Sequence, residues 1–202
     1  MELNIPNQLT ILRILLTPVF ILLFIHENPD LKLFAAIVFM IASFTDWYDG
    51  YIARRFKMVS RWGQYMDPLA DKILVSSALI VFAYMDYIYW WMVIIIVIRD
   101  AVITFLRSFA LSIGRPIITS NLAKWKTFSQ MGFVFIILLY VNLPGLPDIR
   151  LSNNAHPWQL WTTISLFIVT FITVLSGILY FISNWSHLLE LWHRITKKLW
   201  ID

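Results

Sequence analysis

Apolar residues run along this chain in long blocks, broken by short polar or helix-breaking stretches. The breaks fall at His26 to Asp30, Arg54 to Gly63, Met85 to Tyr87, Ile113 to Ser120 and Leu143 to Pro157. A bilayer core asks for about 20 mostly apolar residues per helix. The pattern therefore predicts spans over 9–26, 31–53, 67–86, 88–112, 121–142 and 159–184. Leu188, Leu191, Trp192, Ile195 and Leu199 then recur at helical spacing, with Arg194, Lys197 and Lys198 among them. That reads as a cationic amphipathic helix over 186–200 lying on an anionic leaflet. The expected fold is an all-α integral membrane protein: six transmembrane helices and an amphipathic tail, in one domain over 1–202.

Composition supports this and removes other classes. Hydrophobic residues make up 59% of the 202 residues and charged ones 14%, with a mean hydropathy of +0.72. Soluble domains carry about 25% charge, so this chain cannot cover itself in water. A basic nucleic-acid binder is excluded despite a pI of 9.4. With no cysteine, disulfides, thiolate metal sites and cysteine nucleophiles are excluded. The early charges, Glu2 and Arg13, with no small-residue cleavage site, suit a retained first span rather than a signal peptide. Lysine and arginine set the orientation. Arg54, Arg55, Lys57, Arg61, Arg115, Lys124, Lys126, Arg194, Lys197 and Lys198 fall on one side, against Lys32 and Arg150 on the other. Both termini and the basic loops are expected in the cytoplasm of a bacterial-type plasma membrane.

Four acidic residues stand at the ends of apolar blocks: Asp46, Asp49, Asp67 and Asp71. An aspartate deep in a span costs about 2.5–3.5 kcal/mol, less near the interface. Arg54 and Lys72, their neighbours in sequence, can neutralise two of the four. Bound divalent metal is the economical explanation for the rest. Spacings of three and four place each pair on one helical face. Hard carboxylate ligands without thiols suit Mg²⁺ or Mn²⁺ and leave positions open for phosphate oxygens. Gly50 and Ala53 allow a backbone or bulky polar ligand to approach. Pro68 suits a first helical turn.

The string Asp46, Asp49-Gly50, Ala53-Arg54, Gly63, Asp67 and Asp71, with its intervals of two, two, eight, three and three residues, resembles the signature of the CDP-alcohol phosphatidyltransferase family. The resemblance implies a dimeric six-helix membrane enzyme whose site opens to the cytoplasm. It implies that Asp46, Asp49, Asp67 and Asp71 hold two divalent ions, with Asp71 also taking the acceptor's proton. Gly50, Ala53, Arg54, Ser60 and Gly63 are then placed at the CDP-lipid. Displacement is expected to be direct and in line, through one ternary complex, since no covalent nucleophile stands out.

Asn4 to Arg13, Arg99 to Thr127 and Leu175 to Phe181 resemble the branch of that family acting on CDP-diacylglycerol and glycerol 3-phosphate. Arg99 and Arg107, two turns apart in an apolar span, and Lys124 suit an acceptor carrying its own phosphate. A structural alternative pairs Arg99 with Asp100 or Asp46. Asn7, Thr10 and Arg13 either line the substrate cavity or serve as a start cap and a snorkelling arginine. Gly132, Ser176 and Gly177 are expected at close helix contacts, and the histidines on the surface. Two other readings stand beside the main one. The first keeps the family but takes inositol phosphate, serine or phosphatidylglycerol as acceptor. The second is a divalent-cation transporter, which needs carboxylates continuing toward the outer half of the bundle.

Overall fold

The structure, a computed structural model, describes residues 5–56, 61–112, 121–145 and 157–185. Six helices occupy them: α1 (Ile5–Ile25), α2 (Pro29–Phe56), α3 (Arg61–Tyr84), α4 (Trp90–Ser112), α5 (Asn121–Asn142) and α6 (Pro157–Ser183). No strand occurs among the described residues. The tail helix expected over 186–200 lies outside them.

Each helix falls on one apolar block, and only one boundary differs substantially. Helix α3 begins at Arg61 rather than near 67, so Pro68 lies inside it and not in its first turn. Proline there removes one bond to the carbonyl four residues back, yet the two turns ahead of it remain helical. Three helices are long and apolar enough to cross a membrane, over Asn7–Ile25, Pro29–Ile52 and Leu160–Ser183. The other three carry ionic side chains in their apolar runs: Asp67, Asp71 and Lys72 in α3, Arg99, Asp100 and Arg107 in α4, Lys124 and Lys126 in α5.

Cross-helix contacts fix the direction of each helix. Phe20 of α1 meets Phe39 of α2 at 5.3 Å while Arg13 reaches Asp46 and Asp49, so these two run antiparallel. Thr10 reaches Asp67 and Phe24 meets Phe82 at 5.2 Å, so α1 and α3 run in the same direction. Helices α4 and α6 are likewise parallel, joined at Trp91–Phe167 and Arg99–Ser176. Between α3 and α4 the chain turns at Asp86, whose φ is +59°. The Tyr87 N–H donates to the Phe82 carbonyl and the Asp86 N–H to the Ala83 carbonyl. This is a Schellman ending, with aspartate in the left-handed place glycine usually takes.

The bundle has two unlike halves. One is packed with aromatic rings, Phe20, Phe24, Phe39 and Phe82, each fully buried, with Tyr87 at its rim. The other buries Thr10, Arg13, Asp49, Asp100, Lys126, Gln130 and Ser176. Outside, Leu15, Leu22, Phe44, Ile98, Phe105, Phe128, Phe171 and Ile182 are exposed. Apolar outside and polar inside is the arrangement of a protein whose solvent is lipid. The chain is an integral membrane protein.

Lipid is as apolar as the core, so truncating a core ring forfeits packing rather than transfer from water. Phe24→Ala is therefore expected to cost about 2 kcal/mol, below the usual range for soluble cores. Reversible unfolding in mixed micelles measures it.

Candidate functional site

The four aspartates of the sequence pattern sit in the polar half, on α2 and α3. The Arg13 guanidinium, fully buried, reaches across from α1: Nη1 lies 2.7 Å from Asp46 Oδ1 and Nη2 2.6 Å from Asp49 Oδ2. Thr10, one turn earlier on α1, donates to Asp67 Oδ1 at 2.5 Å. Lys72 Nζ stands 3.0 Å from Asp71 Oδ2. The carboxylates share one field: Asp46 lies within electrostatic reach of Asp71 and Asp67, and Asp49 of Asp46 and Asp67.

Arg13 is thus no snorkelling residue. Its guanidinium points inward because two carboxylates inside the bundle offer more than the interface does. Asn7 is also buried on this helix. The sequence pattern did not reveal Arg13 as the counter-cation, since its partners come from another helix. The available signal was its standing alone among the charges of an otherwise apolar first span.

Four carboxylates against Arg13 and Lys72 leave two negative charges uncompensated among the described side chains. Hard oxygen donors with that excess fit a divalent cation in charge and chemistry. Among the described residues, however, no three His, Asp or Glu side chains stand close enough to hold one ion together. Gly63 is buried and Gly50 half-buried near the pairs. The side chains of Ala53 and Arg54 lie outside the described residues, although both belong to α2, and Ser60 lies outside them altogether.

A second polar cluster adjoins the first. Asp100 of α4, buried, accepts from Arg99 Nη1 at 3.0 Å, from Lys126 Nζ, and from Gln130 Nε2 at 3.4 Å. Arg99 Nη2 also donates to Ser176 Oγ at 2.7 Å. Lys72 lies within electrostatic reach of both Asp100 and Lys126, so it links the clusters. Arg99 therefore pairs with Asp100 and not with Asp46. Arg107, two turns on, is exposed, and both arginines are within reach of the Tyr180 hydroxyl. The Lys124 side chain lies outside the described residues.

Lys126 departs from its expected place. Its position in a basic connection pointed to a solvated lysine, yet its side chain is 1% exposed. Helix α5 already starts at Asn121, so Lys126 and Gln130 share one face that turns toward Asp100. Gly132 is a second departure. A Cβ there would meet nothing within 4 Å, so it marks no close helix contact. His26 is exposed, as expected.

A model of the CDP-alcohol phosphatidyltransferase family matches residues 3–192. The chain belongs to this family. A Bacillus subtilis (strain 168) relative named CDP-diacylglycerol--glycerol-3-phosphate 3-phosphatidyltransferase is 37% identical over 197 residues, covering 92% of this chain and 97% of that protein. Relatives of the same name from Yersinia pestis (strain Pestoides F) and Rickettsia typhi (strain ATCC VR-144 / Wilmington) are each 35% identical, covering 94% and 88% of this chain and 100% and 95% of those proteins. Family membership makes the chain a transferase of phospholipid biosynthesis. The transporter reading gives way to that family membership.

Removing one partner of a buried ion pair costs about 3–5 kcal/mol, because the other charge is stranded. Arg13→Gln is expected to lose that much stability. Adding Asp49→Asn, which removes the stranded charge at the buried end, should restore part of it. Thermal unfolding of the single and double variants in detergent checks this.

Proposed function

We propose that this chain transfers the phosphatidyl group of CDP-diacylglycerol to sn-glycerol 3-phosphate, giving phosphatidylglycerophosphate and CMP. The observation that carries the reading is an acidic cluster set directly beside a basic one, in a chain whose relatives over nearly full length bear the name of that reaction. The acidic cluster suits a pyrophosphate accompanied by metal. The basic cluster suits an acceptor that brings its own phosphate, which favours glycerol 3-phosphate over serine, and the relatives' name favours it over inositol phosphate and phosphatidylglycerol.

Asp46, Asp49, Asp67 and Asp71 are the residues that would hold two ions, Mg²⁺ or Mn²⁺, after turning toward one another from their positions around Arg13 and Lys72. When bound, such ions neutralise the pyrophosphate and make its phosphorus more electrophilic. Gly50, Ala53, Arg54, Ser60 and Gly63 line the CDP side, where small residues admit the nucleotide and Arg54 meets a phosphate. Arg99, Arg107 and Lys124 hold the acceptor's phosphate. Arg13 and Thr10 act through the carboxylates, keeping Asp46, Asp49 and Asp67 in orientation, and Asn7 packs beside them.

The acceptor's hydroxyl oxygen forms a bond to the lipid-bearing phosphorus as the bond from that phosphorus to the oxygen of CMP breaks. Asp71 takes the hydroxyl proton. Lys72 Nζ, 3.0 Å away, holds its carboxylate in place. Displacement is direct, without a phosphorylated enzyme.

The lysine and arginine distribution supports six spans with both termini and the site on the cytoplasmic side, the tail helix on the inner leaflet, and one domain throughout. The protomer works as a homodimer within the lipid bilayer.

Purified protein in mixed micelles, given CDP-diacylglycerol and a panel of alcohols, should yield phosphatidylglycerophosphate by mass, with glycerol 3-phosphate preferred. Asp71→Asn should lower kcat by about 10²–10⁴ with little change in either KM, and chelation of divalent ions should abolish turnover. CMP release that continues without acceptor, or after chelation, overturns the reading.

A further inference from the structure

Arg99 is seated between two helices in a manner the reaction alone does not demand. Its side chain is 15% exposed. Nη1 is taken by Asp100 and Nη2 by Ser176 of α6. The Ser176 hydroxyl donates its own proton to the Thr173 carbonyl at 3.0 Å, which leaves its oxygen lone pairs for the arginine. Nε is buried and has no partner. Beside it stands Gly177. A Cβ on that glycine would lie 3.3 Å from Arg99 Cγ, 3.4 Å from Nε and 4.0 Å from Cδ.

Glycine inside a helix is about 1 kcal/mol less favourable than alanine, so its presence in α6 calls for a local reason. The nearest atoms to the missing methyl all belong to the Arg99 side chain. Gly177 therefore makes room for one arginine. A methyl there would press on Cγ and crowd the Nε edge. The arginine has little freedom to yield, because Asp100 is itself held by Lys126 and Gln130.

We propose that Ser176 and Gly177 form a seat on α6 that sets the position of the Arg99 guanidinium, and with it the direction of the N–H groups that meet the acceptor's phosphate. They are positioning residues, acting on acceptor affinity through Arg99. The proposal rests on Arg99 being a phosphate ligand, and the test separates the two. A planar guanidinium binds phosphate through paired, directional N–H groups, so a displacement of a few tenths of an ångström weakens that contact while leaving the CDP-lipid side untouched.

Steady-state kinetics of the full chain in mixed micelles, with Arg99→Lys, Gly177→Ala, Ser176→Ala and the Arg99→Lys/Gly177→Ala double variant, read this out. Arg99→Lys should raise the KM for glycerol 3-phosphate about tenfold. Gly177→Ala should raise it about fivefold and Ser176→Ala about threefold, with the KM for CDP-diacylglycerol and the melting temperature nearly unchanged. In the Arg99→Lys background, Gly177→Ala should add nothing, the signature of a shared pathway. An unchanged KM in Arg99→Lys removes the phosphate-ligand reading and the seat with it. A raised KM in Arg99→Lys with normal values in Gly177→Ala and Ser176→Ala overturns the seat alone. So does a fully additive double variant, or a loss of melting temperature with both KM values rising together, since these report packing.

Discussion

The most deeply buried ionic groups of this bundle, Arg13, Asp49, Asp100 and Lys126, find partners on another helix. Arg13 of α1 lies between Asp46 and Asp49 of α2, and Thr10 of α1 serves Asp67 of α3. Asp100 of α4 meets Lys126 and Gln130 of α5, and Arg99 of α4 meets Ser176 of α6. These few bonds touch all six helices. Desolvation consumes much of the Coulombic gain of a buried pair, so their contribution lies less in net stability than in register. A helix that slides by one turn strands a charge in a medium that cannot solvate it.

That constraint explains why the ion pairs collect at one end, while Lys32 at the other bonds to the Tyr87 hydroxyl. Apolar contacts alone tolerate small slips between helices, and the aromatic half, with Phe20, Phe24, Phe39 and Phe82 in tilted contact, supplies shape without chemistry. The polar half supplies positional demands that only one alignment satisfies. Several Ser and Thr hydroxyls elsewhere in the bundle bond within their own helices, as with Thr170 and Thr173 donating to carbonyls four residues back. Ser43 of α2, which also reaches Met131 of α5 at 3.9 Å, adds only a weak sulfur contact. The inter-helical load falls on the ionic side chains.

Much of this was legible along the chain. Apolar blocks locate helices because lipid and core both reject polar backbone and side chains alike, so the six helices stand where the blocks do. Helix α3 is the exception, since proline at 68 suggested a start and the helix continues through it. The aspartate pairs were legible because three- and four-residue spacings are local. Their partners were not. Arg13 lies more than 30 positions from Asp46 and Asp49, and Lys126 lies 26 from Asp100, distances over which periodicity carries no information. Lys126 also resembles a loop lysine until the bundle closes around it. Gly132 and Gly177 look alike in sequence, yet one faces open space and the other an arginine.

The juxtaposition of the two clusters has a further consequence for a reaction between two anions. A pyrophosphate and a phosphate, the latter carrying about −1.5 to −2 at neutral pH, repel one another strongly where water is scarce. The acidic cluster alone, with two uncompensated negative charges, would repel both. Divalent ions held there would invert its sign, and Arg99 with Lys126 outweighs Asp100 on the other side. Lys72 stands within reach of both clusters. In the proposed reaction the anions would then meet between two positive surfaces while Asp71, the base of that proposal, stays paired with Lys72. On the proposed assignment, a site without metal would repel its donor.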